Sequence, residues 1–93
     1  MQIRWLDDAV GDLQAISDTV ARDRPSAAAD LIERIVAAVD SLIEFPGRGR
    51  PGRVLGTREL IVPPYLVAYR VHGDVLEILR VLHGARRWPE EFG

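Results

Sequence analysis

Three runs rich in branched and aromatic residues follow one another in the second half of the chain, and such runs are typical of β-strands. They are Gly56–Leu60, Tyr65–Val71 and Val75–His83. Pro63 and Pro64 lack the backbone N–H that a strand ladder requires, so they must separate the first two runs. Strands joined by short connections pair antiparallel. This half of the chain therefore predicts a small antiparallel sheet.

The turn before the third strand leaves the register of that strand open. A three-residue connection at 72–74 pairs Val71 with Val75 and puts Arg70 and Arg80 on one face. A two-residue turn at His72-Gly73 instead puts Arg70 on the face of Glu77 and His83. In either register an arginine inside an apolar strand needs a partner. Pairing with Glu77 or another acid and contact with a binding partner are both consistent with the pattern.

The first half of the chain has helical periodicity. Apolar residues recur at spacings of three and four from Leu6 to Val20, which predicts a helix that Asp7 or Asp8 would cap. A second helix is expected over about residues 26–44, and the segment 2–5 before both has the pattern of a short edge strand. The predicted class is α+β in the order β-α-α-β-β-β, with an N-terminal helical hairpin packed on a small twisted antiparallel sheet.

Composition limits the possible chemistry. The apolar fraction of 47% fits one globular domain over residues 1–93. Without cysteine the chain has neither a disulfide framework nor a thiolate metal site, and its two histidines, His72 and His83, are too few for a structural zinc site. No basic-then-apolar leader and no membrane-length apolar run is present, so a cytoplasmic location is expected, with no membrane partner.

Charge is distributed unevenly along the chain. Residues 1–45 carry four arginines and nine acids, whereas residues 46–93 carry eight arginines and five acids. All the basic residues are arginines, whose planar guanidinium groups suit bidentate contacts with carboxylates or phosphates. The segment 46–53, here called the arginine loop, holds three of them. It is either a solvated connection or a mobile basic rim able to contact phosphates or an acidic partner.

The ordered set of segments resembles the RelE/ParE superfamily of bacterial toxins, the toxic halves of type II toxin–antitoxin modules. The resemblance covers nearly the whole chain and includes Trp5, Asp12-Leu13, Arg24–Ala28 and Trp88-Pro89. It is strongest in Phe45–Arg50, Gly56–Leu60, Tyr65–Val71 and Ile78–Ala85. The family's fold agrees with the α+β order predicted above.

The superfamily divides by target, and this chain looks more like the branch that poisons DNA gyrase. RelE-like and YoeB-like members are ribosome-dependent mRNA interferases and typically carry an arginine where this chain has Leu66. His83 matches a catalytic histidine of YoeB-like members, but their adjacent tyrosine is replaced by Gly84. The resemblance therefore implies a ParE-like gyrase inhibitor that has no cofactor, no metal and no catalytic residues of its own.

The resemblance also implies partners and sites. A helical segment of a cognate antitoxin would cover apolar surface on this chain, and operator DNA would be contacted only through that antitoxin. The alternative is an mRNA interferase acting on the ribosome and mRNA, with His83, Arg80 and Arg86 as catalytic residues. Under the gyrase interpretation, the basic sheet and tail would bind the target through Arg58, Arg70, Arg80, Arg86, Arg87 and Trp88.

Overall fold

The computed structural model describes residues 1–84, in which two helices pack on a five-stranded sheet. The predicted α+β class and the order of its elements are confirmed, with one short additional strand after the helices. The elements are β1 (Gln2–Trp5), α1 (Asp7–Ala21), α2 (Pro25–Asp40), a 3₁₀ turn (Ser41–Ile43), β2 (Arg50–Pro51), β3 (Arg58–Val62), β4 (Tyr65–His72) and β5 (Val75–His83).

The sheet is mixed rather than wholly antiparallel, which corrects the expected strand directions. Its order is β1-β5-β4-β3-β2, and β1 runs parallel to β5 while every other pair is antiparallel. The Gln2 N–H donates to the Asp74 carbonyl at the β4–β5 turn (2.9 Å), so β1 starts beside the start of β5. The helical hairpin carries the chain from β1 to the rest of the sheet. A connection of that length permits parallel pairing, which a tight turn does not.

Neither expected register of the β4–β5 hairpin is found. The turn residues are Gly73 and Asp74, so that His72 pairs with Val75 and Val71 with Leu76. Gly73 has a φ of +60°, which glycine adopts without a steric penalty. The register then shifts, because Tyr69 pairs with Ile78 but Ala68 pairs with Arg80. This shift is a β-bulge in which Leu79 is the extra residue. The bulge places Arg80 on the same face as Arg70.

Each face of the sheet has its own apolar cluster. On the helix side, Ile35, Val39 and Leu42 pack against residues that include Val67 and Ile78. The cluster on the other face has four fully buried members, with Leu6 and Val54 packed against them. Those members are Leu66, Ala68, Leu79 and Leu82. Burial on both faces confirms β5 as a central strand.

The helix ends differ in detail from the predictions. Leu6 occupies the N-cap of α1 without a side-chain hydrogen bond, so the expected capping by Asp7 or Asp8 is wrong. Both carboxylates lie in the first turn, where they face the positive end of the helix dipole. α2 ends at Asp40, four residues before the predicted end, and continues as the 3₁₀ turn. Neither helix in residues 1–84 is long and apolar enough to cross a membrane.

Candidate functional site

The described arginines of the predicted target surface do not share one face of the sheet. Arg58 alternates with Glu59 and therefore lies on the same side as Leu60, the helix side. Arg70 and Arg80 lie on the opposite side with Ala68. The other predicted contacts, Arg86, Arg87 and Trp88, are outside the described residues.

Arg80 is buried and forms a bidentate ion pair with Asp12 of α1. Its Nε donates to Oδ2 at 2.7 Å and its Nη2 to Oδ1 at 2.9 Å. The Oδ2 atom also accepts the backbone N–H of Val81 at 2.9 Å. This arrangement joins the first helix to the central strand. No spacing pattern indicates this pair, since the two residues are 68 positions apart.

Arg70 lies in an exposed row of charges that crosses three strands. Arg70 on β4 and Arg4 on β1 are both register partners of Glu77 on β5. The Arg70 Nε donates to the Glu77 carboxylate at 2.7 Å. This hydrogen bond is the main cause that lowers the pKa of Glu77, and the charges of Arg70, Arg4 and His72 add to it while desolvation opposes it. Arg70 keeps a side-chain exposure of 45%, so a partner can reach it.

Side chains from the sheet fasten the arginine loop at its start. The buried Tyr69 hydroxyl donates to the Pro46 carbonyl (2.7 Å) and accepts the Gly49 N–H (2.9 Å). Arg58 Nη1 donates to the carbonyls of Gly49 (2.8 Å) and Gly47 (3.3 Å). Burial is the main cause that raises the pKa of Tyr69, against the lowering effects of Gly49 and Arg58. These contacts attach the start of the loop to the sheet, and whether the loop serves as a connection or as a basic rim stays a prediction.

Glu59 organises the arginines at the other end of the loop. Its residue exposure is only 2%, and its Oε1 accepts hydrogen bonds from Nη2 (3.0 Å) and Nε (3.3 Å) of Arg50. Its Oε2 accepts the backbone N–H of Arg53 (3.2 Å) and pairs with that residue's Nε (3.3 Å). Glu59 was not among the predicted site residues. The sequence pattern that could have indicated its role is an acidic residue in the strand that directly follows an arginine-rich loop.

His83 and Arg80, the described members of the alternative catalytic set, lie on opposite faces of β5. Arg80 and Leu82 share the face away from the helices, whereas Val81 and His83 share the helix side. His83 is exposed, and its ring meets the ring of Tyr65 edge-on with centroids 5.8 Å apart. A hollow between α2 and the β3–β4 turn is lined partly by Tyr65 and Arg34.

The outer surface of the helical hairpin carries a shallow apolar groove. Val10 on α1 has 48% of its surface exposed. Half-buried apolar residues lie beside it and polar residues form the rim. The lining residues are Val10, Leu13, Gln14, Ser17, Asp18 and Ile32. Such a groove fits the apolar side of a partner helix.

Comparison with known proteins identifies the family. The family model described as ParE toxin of type II toxin-antitoxin system, parDE, matches residues 3–88. The match spans nearly the whole chain and includes both helices and, apart from Gln2 at the start of β1, all five strands. The chain therefore belongs to this family and is a toxin of a type II toxin–antitoxin system, within the RelE/ParE superfamily expected from the sequence.

Individual relatives agree with this assignment. Y4kP of Sinorhizobium fredii (strain NBRC 101917 / NGR234), which has a provisional toxin name, is 45% identical over 96% of this chain and 94% of its own length. Toxin RelE2 of Caulobacter vibrioides is 38% identical over 91% and 97% of the two chains. A solved chain of the chromosomal ParDE TA system from P. aeruginosa superposes with a TM-score of 0.81 at 33% identity, covering 89% of this chain and 95% of that one. The relatives thus carry both ParE and RelE names.

Proposed function

We propose that this toxin acts on DNA gyrase, stabilises the cleaved-DNA state of that enzyme and is neutralised by a cognate antitoxin. The family model that matches this chain is that of the ParE toxins, and the hydrogen bonds that hold Arg58 and Arg80 in the fold are consistent with a toxin that works by binding. No cofactor or metal takes part in this proposal. Operator DNA is contacted only through the antitoxin, and the toxin acts in the cytoplasm.

The placement of Arg80 is the observation that most favours binding over RNA cleavage. A ribonuclease needs a general base and cationic groups gathered around one phosphate. Arg80 instead directs two of its donors to Asp12, and it lies on the face of β5 opposite to His83. Leu66, which replaces the arginine of the ribonuclease branch, is buried in the apolar cluster and contributes no charge.

The described arginines of the proposed target surface have different roles. Arg70 offers an exposed guanidinium to gyrase, whereas Arg58 and Arg80 hold the arginine loop and α1 in place. Arg86, Arg87 and Trp88 complete the proposed surface from outside the described residues. The groove on the helical hairpin is the proposed docking site for a helical segment of the antitoxin, with apolar antitoxin side chains on Val10 and Ile32.

A gyrase cleavage assay tests the proposed target directly. Purified full-length chain is incubated with gyrase, ATP and supercoiled plasmid, and linear DNA is measured after detergent and protease treatment. Accumulation of linear DNA that the antitoxin suppresses is the expected result. Pulse labelling after induction gives the cellular counterpart, in which DNA synthesis stops before protein synthesis. If translation stops first and linear DNA does not accumulate, gyrase is not the target.

An mRNA interferase is the second candidate, and the exposure of His83 beside Tyr65 is the observation that favours it. An exposed imidazole can act as the general base for a 2′-hydroxyl. This alternative predicts that His83→Ala abolishes toxicity and ribosome-dependent mRNA cleavage while antitoxin binding is preserved. The gyrase proposal predicts that His83→Ala leaves toxicity nearly unchanged.

A further inference from the structure

The arginine loop and Phe45, the residue before it, present cations and an aromatic ring that the gyrase proposal does not use. Phe45 precedes the loop and exposes 60% of its surface. Phe45 and Arg48 line the same hollow, together with Glu44, Pro46 and Gly47. Arg50 has a side-chain exposure of 57%. An exposed aromatic ring beside exposed guanidinium groups is a combination that proteins use to bind single-stranded nucleic acid.

The guanidinium groups are held in place before any ligand arrives. Arg50 uses Nε and Nη2 on Glu59, which leaves its Nη1 amino group without a hydrogen-bond partner among residues 1–84. Arg48 donates from Nη1 to the Ser41 hydroxyl at 3.0 Å, which likewise leaves its Nη2 group unpaired in the described part of the chain. Preorganised side chains lose less conformational entropy on binding.

The backbone beneath these side chains is also fixed. Tyr69 and Arg58 hold residues 46–49, and the Gly52 N–H donates to the Thr57 carbonyl at 2.8 Å. The carboxylates of Glu59 and of Glu44, which lines the hollow, balance only part of the positive charge of the three arginines in the loop. The loop therefore offers a fixed surface with excess positive charge, which fits a polyanion.

We propose that the arginine loop binds single-stranded nucleic acid, with phosphates on Arg48 and Arg50 and a base stacked on Phe45. In a duplex the base faces are already stacked on each other, so the Phe45 ring would have no base to contact. An acidic peptide would pair with the arginines but has no planar group for the ring. The inference goes beyond the proposed function, because this binding needs neither gyrase nor ribosome.

Fluorescence anisotropy with the full-length chain and a labelled oligothymidylate of about 15 nucleotides tests the proposal, since a comparable site covers about 4–16 nucleotides. Titrations between about 50 and 200 mM salt give the dependence of affinity on salt. Phe45→Leu should weaken binding about fivefold or more, because it removes the stacking surface but keeps an apolar side chain. Arg48→Gln should reduce the salt slope by about 0.7, the value for one phosphate contact on a single strand.

Matched controls make these results specific. Arg22→Gln removes an equal charge from an exposed position at the end of α1 and should leave the salt slope unchanged. Leu55→Ala shortens a side chain that is 100% exposed and should leave the affinity unchanged. All four substituted residues are exposed, so the variants should fold.

Four outcomes would overturn the inference. The first is no binding at about 50 mM salt, and the second is a loss of affinity in the control variants equal to that in the test variants. The third is equal affinity for a hairpin duplex, with no effect of Phe45→Leu. The fourth is displacement of the oligonucleotide by an equal concentration of a glutamate-rich peptide, which would indicate an acidic protein partner. The gyrase cleavage assay tests the proposed function independently of oligonucleotide binding. Oligonucleotide binding without gyrase poisoning contradicts only the proposed function, and poisoning without oligonucleotide binding contradicts only this inference.

Discussion

Asp12 and Arg80 connect the first helix to the central strand through paired hydrogen bonds of 2.7 and 2.9 Å. Asp12 also accepts a backbone hydrogen bond from β5. The need for this acceptor arises because β1 pairs with β5 only as far as Ile78. Beyond that point the backbone N–H of Val81 has no partner on β1, and it donates instead to the Asp12 carboxylate at 2.9 Å. One side chain thus satisfies a buried cation and an edge N–H together.

Replacement of Asp12 should therefore be costly. Asp12→Ala leaves the largely buried guanidinium of Arg80 and the Val81 N–H without their acceptor, and loss of one partner of a buried ion pair costs about 3–5 kcal/mol. Urea unfolding followed by circular dichroism measures the change. Asp18→Ala, at an exposed position of the same helix, should change the free energy of unfolding by less than about 0.5 kcal/mol. Equal stability of the two variants would contradict the anchoring role.

Local sequence signals predicted the elements well, and long-range contacts explain what they missed. Pro63 and Pro64 mark the break between β3 and β4 because proline lacks the N–H of a ladder. The apolar strand around Arg80 indicated that this arginine needs a partner, but Asp12 could not be identified as that partner because the two residues are 68 positions apart. The bulge at Leu79 could not be predicted either, because it depends on how β4 and β5 pack together.

The site was predicted less well than the fold for the same reason. Arginine-rich segments were evident, but the acids that pair with them lie on other elements. Glu59 reaches the arginine loop from β3, which the sequence did not indicate, whereas the pair of Arg70 with Glu77 on the neighbouring strand β5 was one of the possibilities left open. Sequence alone also left open which face each arginine occupies, because the turn and the bulge together decide it.

Removal of the Tyr69 hydroxyl should loosen the start of the arginine loop. Tyr69→Phe leaves the Gly49 N–H without its acceptor and the Pro46 carbonyl without its donor, and an unsatisfied buried group costs about 1–3 kcal/mol. Urea unfolding measures the loss, and hydrogen exchange should become faster at the Gly49 amide. Tyr65→Phe is the control, because its half-buried ring keeps the contact with His83. Unchanged exchange at Gly49 in Tyr69→Phe would show that the hydroxyl does not hold the loop.

Stability should also decline in alkali because of Tyr69. Burial raises the pKa of this phenol above its ordinary value of 10.0, so the folded state holds the proton more tightly than the unfolded chain. The resulting stabilisation is complete below the unfolded-state pKa and is lost as the pH rises through the folded-state pKa. Urea unfolding at a series of alkaline pH values should show a smaller decline in Tyr69→Phe than in the wild type. Parallel curves for the two proteins would refute this linkage.

The Glu77 carboxylate should contribute to stability in the opposite pH range. The hydrogen bond from Arg70 lowers the pKa of Glu77 below 4.5, so its contribution is present above that value and is lost as the pH falls through the folded-state pKa. Glu77→Gln should therefore flatten part of the acid decline in the free energy of unfolding. Glu33→Gln, at an exposed position of α2, removes an equal charge without breaking the Arg70 pair. An identical acid decline in both variants would contradict the prediction.

Two glycines at the start of the arginine loop give the sharpest test of how tightly it is held. A Cβ at Gly49 would lie 2.7 Å from both Cε1 and Oη of Tyr69 and 3.0 Å from the Glu59 carbonyl oxygen. Tyr69 is fully buried and cannot move aside without disturbing the core. Overpacking of this kind costs about 1–3 kcal/mol, so Gly49→Ala should lower the free energy of unfolding by that amount.

Gly47 provides the matched comparison because it lies two residues away and a Cβ there would meet no atom within 4 Å. Its φ is not positive, so alanine fits the backbone and should be neutral or stabilise the fold by up to about 1 kcal/mol through the unfolded chain. Urea unfolding of the two variants, with hydrogen exchange at residues 46–50, distinguishes the sites. If Gly49→Ala were as stable as Gly47→Ala, Tyr69 would not pack against the loop as described, and the arginines beyond it would lose their fixed support.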